Sequence, residues 1–127
     1  MKLTKQERTA IAGINAMASL AHSTAKKWYR NPKTGRKVKR NFGEVIALMH
    51  SELSEALEAH RKNLMDDKLT HRPGVEVELA DALIRILDTC KANGFDIATA
   101  AVEKNRFNRV RKDHQRKSRL AKNGKRF

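Results

Sequence analysis

A chain of 127 residues, 39% of them hydrophobic, has room for one domain with a modest core, which a partner subunit would enlarge. A single cysteine excludes an internal disulfide framework and favours a reducing, intracellular home. No apolar run approaches the ~20 residues of a membrane span, and the polar start Met1-Lys2-Leu3-Thr4-Lys5-Gln6-Glu7 is unlike a signal peptide, so a cytoplasmic protein with no membrane partner is expected.

The net charge of +14 points first to nucleic acid, but its distribution divides the chain. Residues 26–40 hold eight Lys and Arg and no acid, and residues 104–126 hold eleven with Asp113 as the lone acid. Of the 28 basic and 14 acidic residues, nine and thirteen remain elsewhere, so a mildly acidic body carries two basic segments.

Apolar residues recur at helical rather than alternating spacing, aromatics are only 5%, and no segment reads as a strand, so the expected class is all-α. Thr4-Lys5-Gln6-Glu7 has the S/T-x-x-E form of a capping box and opens a first helix. Its seam is Ile11, Ile14, Ala18, Ala21, Ala25 and Trp28, whose small middle residues allow close approach of another helix. Residues 30–43 are a basic loop, long for so small a domain. Asn41 caps a second helix expected to reach about residue 65, and a polar linker over 66–74 leads to a third over 75–93, stopped by Gly94. Val75, Leu79, Ala82, Leu83, Ile86, Leu87 and Cys90 give the third helix a wide apolar face that predicts a central position, with Cys90 as a small buried hydrophobe. Asp96 caps a fourth helix from Ile97, with Ala100, Ala101, Phe107 and Val110 available for packing. Residues 112–127 form a basic, polar tail with little to pack.

Two acidic words stand out. Glu52-Leu53-Ser54-Glu55 and Glu78-Leu79-Ala80-Asp81 each place two carboxylates one helical turn apart. Glu52 falls inside the stripe Val45, Leu48, Met49, Leu53, Ala56 and Ala59, where an uncompensated carboxylate would protonate or cost several kcal/mol. Glu78 and Asp81 share the one polar stripe of the third helix with Arg85 and Asp88. Such pairs taken singly are ordinary solvated helix faces; together, on two antiparallel helices, they suit a hard cation, with Mg²⁺ favoured and Mn²⁺ a substitute. His50 and His60 lack the spacing and cysteine company of a zinc site.

On the fourth helix Lys104, Asn108 and Arg111 fall on one face, able to meet phosphate or sugar, or to serve as a solvated basic face. Trp28, at the edge of the basic loop, is suited either to stacking on a base or to packing in the first-helix seam.

Three stretches together resemble the MazG-like, all-α nucleoside triphosphate pyrophosphohydrolases, most closely the short single-domain forms of phages and bacteria. They are Asn41-Phe42-Gly43-Glu44 through His50-Ser51-Glu52-Leu53-Ser54-Glu55-Ala56-Leu57-Glu58, then Glu78-Leu79-Ala80-Asp81-Ala82-Leu83-Ile84-Arg85-Ile86-Leu87-Asp88, then Lys104 with Phe107, Asn108 and Arg111. The resemblance spans about residues 8–127, including the closing Asn123-Gly124-Lys125-Arg126-Phe127. It implies a single domain, a bundle of four to five helices completed by homodimerisation, sometimes as a dimer of dimers. It also implies hydrolysis of a nucleoside triphosphate, ribo or deoxy, to the monophosphate and pyrophosphate. Carried over by position, Glu52, Glu55, Glu78 and Asp81 would bind Mg²⁺, and Lys104, Asn108 and Arg111 would contact substrate. Metal-assisted hydrolysis fits, with Glu52 or Glu55 suited to orient the attacking water. Ser51 stands where the family often carries a further Glu, which bears on the number of metals. Two other readings stay in view: a basic helical nucleic-acid-binding protein, and a catalytically silent nucleotide sensor on the same fold.

Overall fold

Several helix boundaries can be traced to a local device in the sequence. The computed structural model describes residues 2–125, of which five α-helices and two short 3-10 turns form the regular structure, with no strand among them. The helices are α1 (Lys5–Ala25), α2 (Phe42–Lys62), α3 (Gly74–Asn93), α4 (Ile97–Val110) and α5 (Arg116–Leu120). The expected all-α class stands. Arg126 and Phe127, the end of the family-like tail, lie outside the described residues.

The Thr4 capping box forms: the Thr4 amide donates to Glu7 Oε2 at 2.8 Å and the Glu7 amide donates to Thr4 Oγ1 at 3.2 Å. Asn41 Oδ1 accepts from the Glu44 amide at 3.1 Å and Asp96 Oδ1 from the Thr99 amide at 3.1 Å. Gly94 closes α3 at φ 71°, a left-handed conformation that glycine adopts without strain. The second helix ends earlier than its apolar pattern suggests. Asn63 turns left-handed at φ 51°, and its amide donates back to the carbonyls of Ala59 and His60.

Contacts group the residues into two units, Met1–Asn15 with Asp96–Phe127, and Ala16–Phe95. In the second, α2 and α3 form an antiparallel hairpin, with the α3 start against Ala59 and Arg85 reaching Glu52. The linker between them is ordered. Asp66 Oδ2 accepts from the amides of Lys68 and Leu69 at 2.9 and 2.5 Å, and the Gly74 amide donates to Leu64 O at 2.9 Å. A Cβ on Gly74 would lie 3.1 Å from that of Ala59, so glycine permits this close approach.

The buried apolar residues of this unit are mostly small: Ala18, Ala21, Val45, Ala56, Ala59, Ala82, Leu87 and Cys90. Several expected core positions lie outside. Leu53, Leu79 and Leu83 are about half exposed and Ile86 is exposed too, so α3 is covered on one side rather than central. Its covered side includes Asp88 and Thr89. Asp88 is 4% exposed and accepts from Tyr29 Oη at 2.9 Å, with His22 Nδ1 at 2.8 Å from its other oxygen, which compensates the burial.

The basic loop is more ordered than its composition suggests. A 3-10 turn over Lys26–Tyr29 runs into a short hairpin in which the Val38 amide donates to Tyr29 O at 2.9 Å and the Asn31 amide to Arg36 O at 2.8 Å. Asn31 Oδ1 accepts from the amides of Lys33 and Thr34, and Gly35, at φ 69°, supplies the left-handed residue of the turn.

In the first unit Arg106 forks onto Glu7, with Nε donating to Oε1 at 2.5 Å and Nη2 pairing with Oε2. This, with the Thr4 amide, holds the Glu7 carboxyl down at about 2. On α4 the buried residues are Ala98 and Val102; Phe107 and Val110, expected to pack, are exposed. The described part of the tail folds locally into a 3-10 turn and α5, and Asp113 draws in both Arg111 and Lys125.

Candidate metal centre

Antiparallel packing brings the two acidic words face to face. One carboxylate oxygen each from Glu52, Glu55 and Glu78 lies within 4.8 Å of the other two. Glu52 is the buried member at 6% exposure, Glu78 is half-buried and Glu55 exposed. Burial and the charges of Glu55, Glu52 and Asp81 push the Glu78 carboxyl up to about 7. It holds a proton far more readily than an ordinary glutamate, and the hydrogen bond it shares with Glu52 favours that form.

Asp81, the fourth expected ligand, is not one of the three converging residues. It stands beside them: loss of solvent first, then the charges of Glu52, Asp66 and Glu55, raise its carboxyl above the usual range despite an exposed outer edge, and Arg85 acts against them. The donor set fits a hard divalent cation, since all ligands are carboxylate oxygens, they converge from two rigid helices, and they repel one another without one. Glu52 accepts from Arg85, whose Nε donates to its Oε1 at 2.5 Å, and also shares a hydrogen bond with Glu78.

Two hollows flank the carboxylates. One, of about 260 Å³, joins Asp81 and Arg85 to Trp28, Lys27 and Arg40, over apolar ground from Val45, Leu48 and Ile84. The other, also about 260 Å³, carries Glu55, Glu58 and Glu78 with Asp66 and Asp67 of the linker. Trp28 is 64% exposed with Lys27 Nζ 5.5 Å from its ring centre, so it does not pack in the α1 seam and its ring is open to a ligand.

Lys104, Asn108 and Arg111 belong to the other unit. Lys104 and Arg111 both lie over the Phe107 ring, at 5.0 and 5.9 Å. The Arg111 fork is engaged by Asp113 at 2.8 and 2.7 Å, so it is not a free anion receptor. Among the described residues Asn108 Oδ1 is the buried side-chain atom with no hydrogen-bond partner.

Arg85 and the linker carboxylates are the site residues that sequence reasoning did not assign. Arg85 lay on the polar stripe with Glu78 and Asp81, and its place one turn beyond Asp81 was the available signal. Asp66-Asp67 gave only an acidic doublet in a turn.

No family model, curated protein or solved structure matches the chain.

Proposed function

We propose that the protein is a Mg²⁺-dependent nucleoside triphosphate pyrophosphohydrolase of the MazG-like, all-α type, acting as a homodimer. The observation that carries this reading is the convergence of Glu52, Glu55 and Glu78 within 4.8 Å, with Glu52 buried and Asp81 alongside. Such a group is electrostatically unfavourable by itself and favourable around a cation that also holds phosphate oxygens.

When bound, Mg²⁺ neutralises the triphosphate and activates water for attack on phosphorus. Glu52, Glu55, Glu78 and Asp81 would hold it. Glu55, the most exposed of the converging three, would take a proton from the attacking water or orient it, while Arg85, bonded to Glu52, would keep that carboxylate in position. The open Trp28 ring in the cleft that contains Asp81 supports base stacking there. Lys104 is suited to phosphate, and the unpartnered Asn108 acceptor suits a sugar hydroxyl. Arg111 would have to leave Asp113 to contact substrate.

Homodimerisation is supported by what single-chain folding leaves uncovered. Leu53 and Leu57 on α2, and Leu79, Leu83 and Ile86 on α3, stand 37–59% exposed at helical spacing, on the very elements that carry the carboxylates.

The test is a panel of ribo- and deoxyribonucleoside triphosphates incubated with the protein and Mg²⁺ or Mn²⁺, scored for pyrophosphate and monophosphate. Cleavage is expected with at least one nucleotide, with loss of two or more orders of magnitude in Glu52→Gln and Asp81→Asn. Failure to cleave any nucleotide, or full activity in both variants, would overturn the assignment.

A further inference from the structure

A second charged feature of the Ala16–Phe95 unit, independent of the carboxylates, takes up the basic segment. The hairpin after α1 and the last turn of α3 border an open hollow of about 370 Å³ whose lining includes Lys26, Arg30, Lys37, Lys91, His22 and Tyr29. All four cations in this lining are exposed and none has an ion-pair partner among the described residues. Asp88, the carboxylate bonded to two of the lining residues, is 4% exposed and committed to Tyr29 and His22, so it does little to offset them.

The backbone holds these charges together. Arg30 and Lys37 are bridged residues of the antiparallel hairpin, directly opposite each other, an arrangement that destabilises like charges unless an anion sits between them. Lys26 precedes Arg30 by one turn through the 3-10 segment, and Lys91 arrives from a different helix. A solvated basic face needs no such convergence on a concavity.

The cations also continue past the cavity: Lys33 and Arg36 occupy the hairpin turn and Lys39 follows it, all exposed, with no acid anywhere in residues 26–40. A small anion would engage the cavity alone. A ridge of this kind, with about 13 Å of hairpin, spans about four nucleotides of a strand. We propose that this hairpin and its cavity bind the phosphodiester backbone of a nucleic acid, through phosphate contacts and without reading base sequence.

The experiment measures binding of the full chain to labelled single-stranded and duplex oligonucleotides by fluorescence anisotropy across a salt series. The combined variant Lys26→Ala, Arg30→Ala, Lys37→Ala and Lys91→Ala is compared with a charge-matched control, Lys5→Ala, Arg61→Ala, Lys117→Ala and Lys122→Ala. On a single strand, losing four phosphate contacts should flatten the log–log salt slope by about 3. Affinity should fall at least tenfold more than in the control, while pyrophosphate release in the assay above stays unchanged. The single exposed reversal Lys37→Glu carries the same prediction at smaller size and guards against loss of fold in the combined variant. Absence of binding to either oligonucleotide, equal losses in cavity and control variants, or tripolyphosphate binding as tightly per phosphate as the oligonucleotide would each overturn the proposal.

Discussion

Replacing Glu78 by Gln should make the metal-free protein more stable at alkaline pH while removing its response to metal. The folded-state carboxyl is raised from 4.5 to about 7, chiefly by burial and by Glu55 and Glu52. Between those two values the folded chain keeps a proton that the unfolded chain releases, so stability falls as pH rises through the window and the loss is complete above about 7. A shift of that size corresponds to at most about 3 kcal/mol. Glu78 is only half-buried, and solvent screening reduces this to about 1–2 kcal/mol. The amide of Gln can still hydrogen-bond Glu52 but carries no charge. Thermal unfolding in chelator at pH 8 should therefore give a Tm roughly 4–8 °C above wild type, and at pH 4 no difference. Adding Mg²⁺ should stabilise the wild type by an amount that grows with ion concentration, and Glu78→Gln by much less. A lower Tm for the variant in chelator at pH 8, or an equal response of both proteins to Mg²⁺, would refute this account of the carboxylate group.

Arg85→Met strands the Glu52 carboxylate, whose side chain is 8% exposed, and should cost about 3 kcal/mol in urea unfolding; adding Glu52→Gln should restore most of it. Tyr29 is the one tyrosine of the chain, and its hydroxyl is held above its ordinary value by burial and by its hydrogen bond to Asp88, so ultraviolet titration of Asp88→Asn should show the phenol ionising at lower pH than in wild type. Leu57→Lys combined with Leu83→Lys should convert the proposed dimer to a monomer in sedimentation velocity, with helical circular dichroism retained.

Much of the helical layout was legible because it rests on local chemistry. Thr4, Asn41, Asp96 and Gly94 each fix a boundary through bonds to residues within a few positions, and all four act as their types predict. The position of Glu52 was legible for the same reason: periodicity alone places it among Val45, Ala56 and Ala59. What periodicity does not carry is which side of an apolar helix a single chain covers. Leu79, Leu83 and Ile86 share their helix with buried Ala82 and Leu87, and only the packing of the rest of the unit, α2 on one hand and His22 and Tyr29 on the other, decides between the two sides. The offset of Asp81 from the other three carboxylates depends likewise on the rotation of α3 against α2. The hairpin over the basic loop was hidden because its order comes chiefly from one Asn side chain, one left-handed Gly and three backbone hydrogen bonds, none of which changes the composition.

The Arg85–Glu52 pair has a consequence for how the chain would meet a divalent ion. Small proteins whose ligands lack any internal counter-charge fold only as metal arrives, so their ion dependence is a folding transition. Here the most deeply set carboxylate is already neutralised by a guanidinium from the facing helix. A divalent ion entering beside it would find helices in place and would need to displace only the Glu78–Glu52 hydrogen bond, so its arrival would read as a saturation curve on a standing structure. Chelation would then silence the site and leave the fold intact, ready to be recharged.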